Sequence, residues 1–326
     1  MESLLTSLSA LCAVGPMLMF LAGVWWLDRY DREPVVVLVL VFSWSATAGA
    51  LIAMAGNTGL GALLPDLPPM LDEAVRSVVI APFVEEIAKA LPLVAVLLTG
   101  HLDEATDGFV YGAAAGLGFA MTENFLYFSG AVPDGVALWA GVVVVRTFFS
   151  AVMHGLAAAA VGALVGATWF SGGAIRAAAL VGGLALAMTI HATWNGFIMA
   201  DAALGAEGAL FSIDRVVLVG ELIAWFVLFE LSLAHEARTL QRELESEAAL
   251  GTIPKDHPAI LASWWRRLGS TWLPPGCPHD AYVFAATRLA LARRLSRVTG
   301  GARQALAIAE VDARRAELRR LLGGYA

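Results

Sequence analysis

The stretch APFVEEIAKALP, residues 81–92, places two adjacent glutamates and a lysine inside an apolar run, between Pro82 and Pro92. A charged side chain at the centre of a bilayer costs roughly 2.5–3.5 kcal/mol on insertion scales. Whether this stretch is a membrane helix therefore decides both the fold and where function is to be sought. The 326-residue chain is 59% hydrophobic and only 15% charged, against about 25% charge in ordinary soluble domains. The deficit is concentrated before residue 235. Seven segments there are long and apolar enough for the ~20 residues a spanning helix needs: about 4–27, 35–56, 73–99, 108–130, 137–170, 177–200 and 214–234. The first begins Met1-Glu2-Ser3, with no positive n-region, and its apolar run is too long for a signal peptide.

The expected fold is an all-α polytopic membrane protein of about seven transmembrane helices, with a core over 1–234 and a helical tail over 235–326. Residues 1–234 carry a net charge of −12 and the tail +5, with 14 of the 21 basic residues in the tail. Basic residues also sit at Arg29, Arg32 and Arg176, while the alternate loops 57–72, 131–136 and 201–213 have none. By the positive-inside rule this places the N-terminus outside and the tail in the cytoplasm. The acidic inner loop (Asp103, Glu104, Asp107) and the outer-end residues Arg76 and Arg215 run against that assignment. Within the tail, residues 280–298 and 302–322 have helical periodicity. ILASWWRRL (260–268) has the paired tryptophans and arginines of a helix lying at the interface. The basic tail suits anionic lipid, and nucleic acid is not an expected partner. Cys12 lies in the first span and Cys277 in the tail, so no disulfide is expected. Gly108, Gly112 and Gly116, like Gly162 and Gly166, have the spacing that lets helices approach closely.

The apolar spans contain Glu85, Glu86, Lys89, Glu123, Arg146 and Glu221, with His154 and His191. Intramembrane ionisable groups mark functional sites by default, although Glu221 alone reads as structural. At 100° per residue Lys89 lies angularly between Glu85 and Glu86, so it is expected to bridge both. Arg146, Ser150 and His154 form one stripe, Phe119, Glu123 and Tyr127 another, and His191 with Asn195 a third. These groups are expected to meet in one wet cavity near mid-membrane. Two Glu, two His and an Asn suit hydrolysis: a glutamate takes a proton from water, and His or Asn donors stabilise the oxyanion. No G-x-S-x-G or H-E-x-x-H pattern is present. No metal is assigned; the alternative is a Zn²⁺ site from His154, His191 and Glu123. A proton-coupled transporter or channel and a non-catalytic scaffold are the competing readings.

EEIAK at 85–89 resembles the E-E-x-x-K motif of the PrsW family of intramembrane proteases. GFAMTEN at 118–124 is similar to that family's F-x-x-x-E motif, and MHG at 153–155 and HATWN at 191–195 to its histidine motifs. DREP at 31–34 is similar to a segment after the family's first span. The family is related to the CAAX prenyl endopeptidases. Asn195 stands where an Asp is expected for the family and matches the H-x-x-x-N pattern of those relatives. The resemblance implies cleavage of a single-span membrane protein, such as an anti-sigma factor, at or near its extracytoplasmic side. It implies that Glu85 and Glu86 activate water, that Glu123 and His154 support them, and that His191 is the oxyanion or acid group; Asn195 is counted with the catalytic residues, without a specific role from the resemblance. Lys89, Asn124 and Arg146 are supporting residues.

Overall fold

The computed structural model describes residues 1–102, 104–205 and 208–323; Asp103 of the acidic loop lies outside them. Among the described residues there is no strand. Seven long helical stretches come first: α1 (Glu2–Leu27), α2 (Val35–Gly61), α3 (69–99), α4 (Ala105–Gly130), α5 (Val136–Ala167), α6 (Gly173–Leu204) and α7 (Ala209–Ala249). Four shorter helices follow: α8 (His257–Leu261), α9 (Trp264–Arg267), α10 (His279–Val298) and α11 (Gly301–Leu322). Five helices, α1, α2, α5, α6 and α7, are long and apolar enough to cross a membrane by length and composition. The other two long stretches, α3 and α4, carry Glu85, Glu86, Lys89 and Glu123, the charges that dilute their apolar character.

The chain forms two compact units. The first comprises residues 1–28 and 33–229 and is organised around α4, which is buried almost continuously from Val110 to Ala120. Small residues make this possible. A Cβ at Gly108, Gly112 or Gly116 would collide with the backbone of α5 at Gly162, Ala158 or His154, and one at Gly118 with Phe42 of α2. Two neighbouring helices thus approach α4 backbone to backbone, as the glycine spacing implies. The DREP segment is built into this unit at its glutamate. Glu33 is buried, accepts a hydrogen bond from the Tyr111 hydroxyl at 2.5 Å, and takes its own N–H bond to Asp28.

Three of the long helices contain a turn closed by i→i−5 bonds: Ser45–Gly49 in α2, Arg76–Ile80 in α3 and Arg146–Ser150 in α5. Such π turns insert one extra residue, and they occur often at functional sites. The last falls in the fifth segment, whose length exceeds a simple crossing.

The second unit comprises residues 29–32 and 230–323, so it begins slightly before residue 235 and also takes in the link between α1 and α2. Leu244, Leu261, Leu289, Leu318 and Tyr282 are its fully buried centre. Glu247, itself buried, accepts hydrogen bonds from Thr252 at 2.8 Å and Arg315 at 2.7 Å and pairs with Arg293. The WWRRL segment forms a shorter helix than its composition suggests. Its helix has four residues, Trp264–Arg267, and Arg267 is buried over the Tyr30 ring, while Trp265, Arg266 and Leu268 are exposed.

Burial pushes the His257 imidazole below its ordinary value, and its Nδ1 shares a 2.7 Å hydrogen bond with the Tyr282 hydroxyl. With the folded value depressed, the unfolded chain takes up the proton first as pH falls. The contribution of His257 to the stability of this unit is therefore fully present above about pH 6.5, the free imidazole value, and is lost progressively below it. Amide protection across residues 240–320 of the full chain, measured by hydrogen exchange and corrected for the pH dependence of the intrinsic rate, should fall as pH is lowered from 7.5 to 5.5. In His257→Gln that interval should be flat; an unchanged slope would show that another group titrates.

Candidate active site

The site is assembled from α2, α3, α4, α5 and α6, all within the first unit. On α3, Glu85, Glu86 and Lys89 are all buried, the last two completely. Lys89 Nζ donates to Glu86 Oε1 at 2.7 Å and lies 2.7 Å from His154 Nδ1. An ammonium only donates, so Nδ1 accepts, and the other ring nitrogen, Nε2, carries the hydrogen it presents to Glu123 at 2.7 Å. His191 Nδ1 lies 2.8 Å from the same Glu86 Oε1. A carboxylate only accepts, so Nδ1 carries the hydrogen and Nε2 offers a lone pair. That nitrogen faces Glu85 Oε2 at 3.8 Å. The two imidazoles pack edge to face, with centroids 4.8 Å apart.

The expected groups therefore meet, with one rearrangement. Lys89 bridges Glu86 and His154 rather than the two glutamates. The i+3 partner is within its reach, and its second bond goes to His154 on α5. Glu85 is held instead by Asn57 of α2, whose Nδ2 donates to Oε1 at 3.2 Å. Asn57 is a member of the site that sequence reasoning missed. It falls one residue past the expected end of the second span, whereas the helix continues to Gly61.

Glu123 pairs with Arg146 at 2.8 Å, and Arg146 Nε donates to Asn124 Oδ1 at 3.1 Å. The aromatic residues flanking Glu123 each seat a cation: Lys89 Nζ lies 4.4 Å from the Phe119 centroid and the Arg146 guanidinium 3.8 Å from that of Tyr127. Ring faces are favourable surfaces for cations deprived of water. Ser150, on the expected stripe, is buried with its hydroxyl unpartnered among the described residues.

Asn195 lies outside this network. In the π turn of α3, Ala81 N–H bonds to the Arg76 carbonyl. The next donor in that pattern would serve Ser77, but it is Pro82, which has no N–H. Asn195 Nδ2 fills that place, donating to the Ser77 carbonyl at 2.7 Å. Thr122, beside Glu123, similarly bonds the Ala46 carbonyl in the π turn of α2. Side chains from the motif helices thus hold two of the three helix irregularities.

The oxygens Glu85 Oε2 and Glu86 Oε2 have no hydrogen-bond partner among the described residues. Unpartnered buried carboxylate oxygens are costly, and they mark where a ligand, water or metal would bind. Among the described residues the metal-ligating side chains that converge are Glu85, His154 and His191, with ligand atoms within 4.8 Å of one another. Glu123, in the alternative zinc set, is not among them; its Oε2 lies 2.8 Å from Arg146 and 2.7 Å from His154. A hydrolytic zinc site needs three protein donors. His154 has no free lone pair, since it accepts from Lys89 at one nitrogen and carries a hydrogen at the other. An ammonium at 2.7 Å would also oppose a dication. As arranged, two donors are free, and the residues do not fit a three-donor metal site.

A family model described as PrsW family intramembrane metalloprotease matches residues 33–229. A protein named Protease PrsW from Clostridioides difficile (strain 630) is 34% identical over 121 residues, 36% of this chain and 49% of that protein. Another named Protease PrsW, from Bacillus subtilis (strain 168), is 26% identical over 194 residues, 57% of this chain and 81% of that protein. The chain thus spans about half the length of the first relative and four fifths of the second. No solved structure matches it.

Proposed function

The chain belongs to the PrsW family of intramembrane proteases, and on that premise we propose that it hydrolyses a peptide bond in or near the transmembrane segment of a single-span membrane protein, using water activated by Glu85. The observation that carries the mechanism is the facing pair Glu85 Oε2 and His191 Nε2, two acceptors 3.8 Å apart with no donor between them. A water molecule donates two hydrogens and satisfies both. Glu85 takes one proton as the water oxygen attacks the scissile carbonyl carbon. When the C–N bond breaks, Glu85 returns that proton to the leaving amine, so the carboxylate is regenerated. His191 holds the second hydrogen, and its own orientation is set by Glu86. Lys89 neutralises Glu86 and fixes His154, which with Arg146 and Asn124 fixes Glu123. Asn195 acts through the backbone of α3 rather than on the oxyanion.

In this reading all seven long helices cross the bilayer, with the N-terminus outside and the tail from 235 onward in the cytoplasm. An anti-sigma-factor-like protein is the substrate class that the motif resemblance suggests. The test is cleavage of such a substrate by the purified protein in nanodiscs. Because the donor set does not fit a three-ligand metal, the rate should be unchanged by 1,10-phenanthroline and by exhaustive dialysis against EDTA. Loss of activity that added Zn²⁺ restores would overturn the metal-free mechanism while leaving the protease assignment standing.

A further inference from the structure

We propose that Trp265 and Leu268 anchor the second unit in the headgroup layer of the bilayer. The inference rests on the membrane crossing of α1 and α2 and is independent of the proteolytic reading. Arg29–Arg32 belong to the second unit and form the middle of the seven-residue link, 28–34, that joins these two apolar helices. So short a link between two spans lies at the bilayer surface. Within the second unit the link is bonded to the residues around α9. The Tyr30 hydroxyl donates to the Ala262 carbonyl at 3.0 Å. Arg32 stacks over the Trp264 ring at 5.7 Å, and Arg267 over the Tyr30 ring at 5.3 Å. The segment 262–267 is thereby held at the same surface.

The side chains that α9 does not turn toward the link are Trp265, Arg266 and Leu268, all exposed. Trp265 is 81% accessible and Leu268 54%. Residues 265 and 268 are three apart and share a helix face. An indole beside a leucine and an arginine is the combination that settles at the boundary between headgroups and acyl chains. There the ring is out of water, its N–H finds an acceptor, and the guanidinium meets phosphate. The remaining aromatic residues nearby are already engaged: Trp272 and Tyr282 pack against His257 inside the unit.

The experiment uses the full chain with Cys12→Ser, Cys277→Ser and Trp265→Cys, labelled with the fluorophore NBD. The protein is placed in nanodiscs of phosphatidylcholine and phosphatidylglycerol. Because Trp265 is exposed, its replacement removes little packing, and Leu268→Cys provides a second, independent probe. Headgroup-proximal 5-doxyl lipid should quench the emission about twofold or more, and aqueous iodide should have little effect, as expected for an interfacial position. Iodide quenching without lipid quenching would place the patch in water and overturn the proposal. Protection from both quenchers, as a covering protein segment would give, overturns it equally.

Discussion

Glu85→Gln should reduce cleavage by about 10³-fold, the range in which removal of a general base falls, while leaving the protein folded. The amide keeps the shape of the side chain, and its oxygen still accepts from Asn57 Nδ2. What it loses is the ability to take a proton from a water held against His191. Glu86→Gln should behave differently. Glu86 is fully buried and its Oε1 receives both Lys89 and His191. Neutralising it leaves the Lys89 ammonium buried without its counter-charge, a change that costs about 3–5 kcal/mol when a buried pair is broken. Glu86→Gln should therefore lose stability and activity together, and Glu85→Gln activity alone. Thermal unfolding and cleavage assays on the two variants separate the base from its brace. A Glu85→Gln enzyme running at the wild-type rate would remove Glu85 from the chemistry.

Gly116→Val should be nearly as damaging although it alters no polar group. A Cβ at Gly116 meets the carbonyl group of His154 itself, so α4 and α5 must separate. Overpacking of this kind costs about 1–3 kcal/mol. The functional loss should be larger, since a shift of about 1 Å in a positioned group costs roughly 10²-fold, and the group that moves is the link between Lys89 and Glu123. Gly141→Val, on α5 and with no atom within 4 Å of its added Cβ, is the control and should be close to neutral. Wild-type activity in Gly116→Val would show that the close approach is not needed for the site.

Much of this arrangement was legible in the sequence because lipid makes polarity conspicuous. The long apolar runs predicted the positions of the seven long helices, and the charges interrupting them identified five of the residues now found in one network: Glu85, Glu86, Glu123, His154 and His191. The tail helices were legible from their period, with boundaries within a residue or so of α10 and α11. What was hidden depends on tertiary contact. The choice of His154 over Glu85 as the second partner of Lys89 requires knowing which helix lies opposite. Asn57 was assigned to a loop because composition changes before the helix ends. Asn195 has the spacing of a catalytic residue, but its amide is taken by a carbonyl that Pro82 cannot serve. WWRRL has the composition of an interfacial helix, but composition did not show that Trp264 and Arg267 turn to Arg32 and Tyr30 while Trp265, Arg266 and Leu268 stay exposed.

The π turns bear on how such chains are to be compared. Each adds one residue to a helix, which advances everything downstream by about 100° around the axis. The turn at 76–80 therefore sets the azimuth of Glu85 and Glu86, and the one at 146–150 sets that of His154. Phase is reset inside the helix rather than at a loop. Aligning relatives on an unbroken helical wheel would point the residues on either side of 76–80 in the wrong directions with respect to one another. A one-residue gap in that interval is a rotation of the acid pair, and it merits the attention usually reserved for substitution of the acids themselves.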